Sequence, residues 1–269
     1  MAVPPLCDAA VMDVLDRLSP SKINAFRHCP QHFAFRYIDG LDEPDDPWMV
    51  RGTLVHAVCE HLFNLGPRER TLPNAVALLH RLWEGMVDTQ PALSAMFADA
   101  EQATAWIMSA ERLLAVWFRL EAPWQLEVGG REMFVECASD QGVLAGIIDR
   151  LDRCADGTWA VTDYKTGPAP PPGWEHAGFF QLRFYAMVLA RSLGLHVTRL
   201  RLVHLGGGGE VLELPFDTDG VEGVGRQVRG LHDAMRASLR SGRWHTNVGR
   251  QCDWCAFKPR CPAWAEPAQ

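Results

Sequence analysis

Val161-Thr162-Asp163-Tyr164-Lys165-Thr166-Gly167 begins as an apolar strand and ends with an acid and a lysine two residues apart. The period of two along a strand puts Asp163 and Lys165 on one face. Upstream, in Gly146-Ile147-Ile148-Asp149-Arg150, an acid again interrupts an apolar strand, and the turn signal Asp156-Gly157 lies between the two segments. If the strands pair through that turn, Asp149 approaches Asp163, and two carboxylates held so close repel unless a cation lies between them. Oxygen ligands suit hard Mg²⁺ or Mn²⁺, which polarises a phosphodiester and acidifies its bound water. Lys165 would then orient or activate that water, a task guanidinium performs poorly because it stays protonated. Taken singly, each of these charges also fits an ordinary ion pair at a strand edge.

Working outward, Met133 to Cys137 and Val143 to Asp152 read as further short strands joined by the turn signal Asp140-Gln141-Gly142. Leu200 to Leu205 and Val211 to Phe216 form another strand pair around Gly206 to Gly209. That glycine run lacks the Lys-Ser/Thr of a phosphate-binding loop, so it is read as a turn and gives no case for an ATP site. Between the strand groups, Gly178 to Leu193 is helical and follows a proline-rich loop, Gly167 to Gly173. Toward the N-terminus, Ser19-Pro20-Ser21 caps a helix running Ile23 to Tyr37, and a second helix, Thr53 to Asn64, follows the acidic loop Asp42 to Pro47 with His56 near its start. From Pro73 to Leu120 the pattern stays helical, with Trp106, Ala110, Leu113, Leu114 and Trp117 forming a buried stripe. A last helix, Val221 to Ser241, precedes a cysteine-rich tail. The order predicts an α/β fold: a mixed central sheet flanked by helices.

A chain of 269 residues, 48% hydrophobic, is large enough for one compact core. No stretch of membrane-spanning length is free of charges, and Met1 to Pro20 lacks a basic segment before an apolar core, so the expected location is cytoplasmic. A net charge of −7 excludes a protein that coats nucleic acid non-specifically, and any DNA contact must be local. Only Lys22, Lys165 and Lys258 are lysines in this arginine-rich chain, which sets Lys165 apart.

These motifs together resemble the PD-(D/E)XK nuclease superfamily, in particular its RecB-like exonuclease branch. The resemblance rests on Gly146 to Arg150, Asp163 to Gly167, Gln181 to Tyr185 and Arg51-Gly52-Thr53-Leu54-Val55-His56, which is similar to the family's histidine motif. Ile148 stands where the family's motif has proline. The resemblance implies a restriction-endonuclease-like fold, with His56, Asp149, Asp163 and the Tyr164 backbone carbonyl as ligands of Mg²⁺ or Mn²⁺. It implies Asp149, Asp163 and Lys165 as the catalytic set, and Gln181 and Tyr185, four apart on one helix face, as DNA contacts. Glu132 is set aside because its register in the sheet is not readable.

Cys252-x-x-Cys255 followed by Cys261-Pro262 supplies three thiolates at ligand spacing, and Cys29-Pro30 is the best candidate for a fourth. Spacing alone fits either zinc or an iron-sulfur cluster. The resemblance implies 4Fe-4S, with one N-terminal and three C-terminal cysteines. Cys7, Cys59, Cys137 and Cys154 have no partners at useful spacing and are assigned to packing. Arg27, Arg36, Arg250 and Arg260 lie near the four ligand cysteines in sequence and are candidates for a local basic surface, though solvated surface positions serve them equally well. The expected organisation is a single nuclease domain over residues 19–262, with a helical insert at 65–120, a cysteine-rich segment at 242–262 closed by Cys29, and loosely ordered ends at 1–18 and 263–269. The implied activity is hydrolysis of DNA, single-stranded or with a free end, in repair or recombination, with a separate helicase as a possible partner. A CRISPR-associated adaptation nuclease and a non-catalytic DNA-binding or helicase-partner module are the alternatives.

Overall fold

The computed structural model describes residues 14–44, 46–173 and 178–264; Cys7 and the end segments 1–13 and 265–269 lie outside the described residues. Helix α1 (Pro20–His28) starts as expected, with the Ser19 hydroxyl accepting from the Lys22 amide and proline in the first turn. It does not run on to Tyr37. Cys29 is extended, at φ −160° and ψ 111°, because the residue before a proline is pushed out of the helical region. Helical structure then resumes as a single turn, Pro30–Phe33, and a π-turn, Ala34–Ile38. The break leaves the Cys29 thiol at a corner of the chain.

Helix α2 (Pro47–His61) begins six residues before the expected Thr53, because Asp46 caps it through the Trp48 amide and Pro47 fills its first position. His56 is therefore mid-helix, where capping cannot explain it. Helices α3 (Leu72–Thr89) and α4 (Ala100–Leu120), capped by Thr71 and Asp99, pack against α2. They bury Leu79, Leu114 and Trp117 with Leu54, Val55 and Val58, so this segment forms a full layer of the domain rather than an appended insert. Helices α5 (Phe179–Leu193) and α6 (Thr218–Ser241), each closed by a left-handed glycine, Gly194 and Gly242, cover the other face with α1. Leu15 and Leu18 are also buried on that side, so order begins earlier than the expected residue 19.

The six-stranded mixed sheet lies between these layers. Its strands are β1 (Arg17–Leu18), β2 (Val128–Ser139), β3 (Gly142–Arg153), β4 (Trp159–Lys165), β5 (Val197–His204) and β6 (Glu210–Pro215). Strand β3 pairs antiparallel with β2 along nearly its whole length; its other edge takes β1 in parallel at Val143–Leu144 and β4 antiparallel at Arg150–Arg153. The α5 crossover makes β4 and β5 parallel, as a connection of that length allows. Among the described residues no helix is long and apolar enough to cross a membrane.

Between the sheet and α4 sits a buried ionic network. Arg150, 1% exposed, makes a two-pronged contact with both oxygens of Glu121, each at 2.8 Å, and donates from Nε to Asp152 at 2.8 Å. It also reaches the Tyr164 hydroxyl, while Arg201 and the Trp117 indole complete the shell around Glu121. Arg150 thus points to the face opposite the one that pairing with Asp149 would require. Burial alone would raise the Glu121 pKa, but hydrogen bonds and charge from Arg150, with help from Arg201, hold it down at about 2. Arg150→Met leaves two buried carboxylates without their partner and should cost about 3–5 kcal/mol in urea unfolding. Adding Glu121→Leu should restore a measurable part of that loss; a single variant as stable as the parent would show that the network does not hold the sheet to α4.

Candidate active site

The site forms where β2, β3 and β4 meet the middle of α2. Strand β3 departs from simple alternation here: Ile148 and Leu151, three apart, both pack toward α1, α5 and α6, while Arg150 and Asp152 face the α4 side. Across from this irregularity, the pairs Arg131↔Arg150 and Met133↔Ile148 bracket Glu132 opposite Asp149. Glu132 has a φ of 39°, a left-handed conformation that non-glycine residues seldom adopt and that concentrates at functional positions.

The donor atoms of His56, Glu132 and Asp149 all lie within 4.8 Å of one another. Asp149 Oδ2 accepts from the Tyr164 amide at 2.9 Å and stands 3.2 Å from His56 Nδ1. Asp163 is 2% exposed; its Oδ1 accepts from Gln181 Nε2 at 3.0 Å, and Lys165 Nζ lies 2.7 Å from its Oδ2. That second contact is ionic and lacks the alignment of a hydrogen bond, which leaves Oδ2 a buried acceptor without a properly directed donor. Desolvation raises the Asp163 pKa most, the Asp149 charge adds to it, and Lys165 opposes both, leaving it at about 6. Burial disfavours a charged His56, yet the Asp149 hydrogen bond and the charges of Asp149 and Asp163 outweigh it and raise the imidazole pKa. Glu132 is raised by burial first and by Asp149 second. Excess negative charge confined in this way is what a divalent cation relieves, and three oxygen and nitrogen donors in mutual reach fit one.

The structure brings together His56, Asp149, Asp163 and Lys165. It adds Glu132 to the converging donors and ties Asp163 to Lys165 and Gln181. Asp140 and Gln141 form a two-residue hairpin loop closed by the pair Ser139↔Gly142, and Glu132 and Asp149 each lie seven residues from that pair, so counting from the turn would have found the glutamate. The Tyr164 side chain is buried on the opposite face, which leaves only its backbone for the site. Gln181 also bonds the Tyr185 hydroxyl at 3.1 Å, and Tyr185 is buried beneath Gly146, where a Cβ would come within 2.5 Å of its ring. Both side chains are turned inward, onto Asp163 and onto each other.

Cys29, Cys252, Cys255 and Cys261 line one cavity of about 570 Å³. The tail is fastened there by Gln31 N to His245 O at 3.0 Å, Asn247 Nδ2 to His28 O at 2.8 Å, and an Asn247 amide contact to Cys29 Sγ at 3.5 Å. Burial raises the Cys255 pKa first, and Cys252, Cys261 and Cys29 act on it as neighbouring charges. Cys59 and Cys137 are buried in the two cores, and Cys154 is half-buried. Of the arginines near these cysteines in sequence, Arg36 pairs with Glu43 at 2.8 Å and Arg27 stacks on Phe180, while Arg250 and Arg260 are exposed.

A sequence profile of the PD-(D/E)XK nuclease superfamily matches residues 17–262. Among solved structures, a candidate exonuclease from Eubacterium rectale is 11% identical, with a TM-score of 0.62 over 100% of this chain and 97% of that one, a likeness of fold. The structure of SSO0001 is 16% identical over 81% of this chain and 98% of its own, with a TM-score of 0.40, too low to support an argument. No curated protein matches the sequence.

The raised Asp163 pKa gives a signed expectation. Its linkage contribution to stability is full below the ordinary carboxylate range near 4 and is lost as pH rises through about 6. With chelator at neutral pH, Asp163→Asn should therefore melt above the wild type, and the gap should close as pH falls below about 6. Mn²⁺ should raise the wild-type melting temperature more than that of the variant. A variant less stable than the wild type at every pH would mean that the Asp163 charge has a structural task.

Proposed function

The chain belongs to the PD-(D/E)XK nuclease superfamily, and on that premise we propose that it is a RecB-like, Mg²⁺- or Mn²⁺-dependent deoxyribonuclease acting on single-stranded or end-frayed DNA. The observation that carries this reading is the convergence of His56, Glu132 and Asp149 beside the Asp163–Lys165 pair. His56, Glu132 and Asp149 would hold the cation, with the Tyr164 carbonyl and Asp163 adjoining it. When bound, the ion polarises the scissile phosphodiester and supplies an acidified water. Lys165, held against Asp163 as an ammonium, would orient that water and offset charge that develops on the phosphate. Gln181 and Tyr185 hold the Asp163 carboxylate in place, and their DNA-contact role is confined to the polar atoms they do not spend on it. Repair or recombination is the setting this branch of the family suggests, with a separate helicase supplying the single strand.

The cysteine cavity is assigned to a 4Fe-4S cluster. One observation supports this: the four cysteines, Cys29 distant in sequence from the other three, line one cavity. Four unpaired thiols also suit a reducing, cytoplasmic setting.

End-labelled linear and circular single-stranded DNA tests the catalytic assignment directly. Cleavage of the linear substrate should require Mg²⁺ or Mn²⁺, spare the circle, and fall at least about 10²-fold in Asp163→Ala and in Lys165→Arg. Cleavage of the circle would make the enzyme an endonuclease, and no cleavage of either would leave a DNA-binding module.

Protein purified without oxygen should be brown and carry about four irons per chain. Iron content and melting temperature should fall together in Cys29→Ser, whereas iron content should hold in Cys59→Ser. Stoichiometric zinc in colourless protein prepared with iron and sulfide would overturn the cluster assignment and leave the nuclease assignment standing.

A further inference from the structure

Beyond the metal site, a second cavity of about 620 Å³ opens beside the end of β4. Thr166 and Gly167, which directly follow Lys165, form one wall, and the glycine turn between β5 and β6 forms another. The backbone there is very close: a Cβ on Gly206 would stand 2.6 Å from the Gly167 carbonyl carbon, so only glycine permits the approach. Arg51 from α2 and Arg112 from α4 face the same cavity, and no acidic side chain lines it. Neither arginine has an ion pair among the described residues. Arg51 is held in place by Ser109 at 2.9 Å and by stacking on Trp48 at 4.6 Å, yet its buried Nε has no acceptor. Burial and the Arg112 charge both press against its ionised form.

Two guanidiniums converging without a counter-ion, in a protein of net charge −7, are an unbalanced arrangement. In a free protein it costs stability; it is relieved when an anion enters. Guanidinium forks match phosphate oxygens in a bidentate way. We propose that Arg51 and Arg112 form a phosphate-binding site for the DNA strand, gripping a backbone phosphate next to the one cut at Lys165. The inference rests on the nuclease reading and names the local basic contact that an acidic nuclease requires. Its position fixes the path of the strand, from the metal site along Thr166–Gly167 and between α2 and α4. Backbone contacts of this kind set register and orientation and carry no base preference.

The test is binding of fluorescent oligothymidylate to the whole protein in EDTA, across a KCl series, for wild type, Arg112→Gln and Arg226→Gln. Arg112 is exposed and has no ion pair among the described residues, and Arg226 lies on the exposed side of α6 as a control. Losing one phosphate contact should weaken binding and reduce the slope of log K against log salt by about 0.7 in Arg112→Gln, leaving Arg226→Gln unchanged. Without DNA, Arg112→Gln should melt at or above the wild-type temperature, and Arg112→Glu higher still, because its carboxylate can pair with Arg51. An unchanged slope and affinity in Arg112→Gln, with wild-type cleavage intact, would overturn this site alone. A wild type that neither binds nor cuts DNA would overturn the nuclease reading along with it. If inorganic phosphate raised the melting temperature in an Arg112-dependent way while the DNA slope stayed the same, the site would serve free phosphate and the strand assignment would be wrong.

Discussion

The fork between Arg150 and Glu121 is the interaction on which the rest of the structure depends. Removing a guanidinium and a carboxylate from water is costly, and the pair is stable only because Asp152, Tyr164, Arg201 and Trp117 saturate them. The fork joins the end of α4 to β3 and fixes the pairing of Arg150 with Thr162 on β4. A slip of one residue would turn Arg150 to the other face and lose the whole network. With the register fixed, Asp149 reaches the Tyr164 amide and Asp163 is buried beside it. Repulsion between these carboxylates is therefore held by an ionic lock one residue away on the opposite face of the sheet. A strongly satisfied charge cluster on one side supports a deliberately unsatisfied one on the other.

Much of this was legible because strand chemistry has a short period. The spacing of Asp163 and Lys165 placed them on one face, and two turn signals placed β2, β3 and β4 in order. Alternation alone does not place Glu132, whose backbone is left-handed and sits across from the irregularity at Asp149; only counting back from the Ser139↔Gly142 turn puts it opposite that acid. The motif identifies His56, but the acids and prolines of residues 42–47 have the composition of a loop and conceal the Asp46 cap, which sets His56 mid-helix rather than at a helix start. The corner at Cys29 is explained by Pro30, a local rule that the helical periodicity around it concealed. Arg51 and Arg112 are 61 residues apart in sequence and meet only through the packing of α2 on α4. No single-chain pattern announces such a pair.

Helix α2 connects the parts. Trp48 and Met49 at its start line the cysteine cavity, Trp48 and Arg51 line the cavity beside β4, and His56 reaches the acids. At 1.5 Å per residue, Trp48 and His56 are about 12 Å apart along a rigid rod. A cluster held by the four cysteines would pack against the start of that rod at Trp48 and Met49, so its loss would reach the catalytic centre as a displacement of His56 and Arg51. Electrostatic unsatisfaction recurs at both proposed sites: excess carboxylate at the proposed cation site, excess guanidinium at the proposed phosphate site. The fold stores the two in complementary form and keeps them apart by the end of β4.

The central claim is that His56, Glu132 and Asp149 hold one divalent cation, and Mn²⁺ titration followed by electron paramagnetic resonance tests it most directly. The account predicts one tight Mn²⁺ per chain with a nitrogen coupling from imidazole; the coupling should vanish in His56→Gln, and affinity should drop in Glu132→Gln. Tight Mn²⁺ binding with no nitrogen coupling, unchanged in both variants, would contradict it.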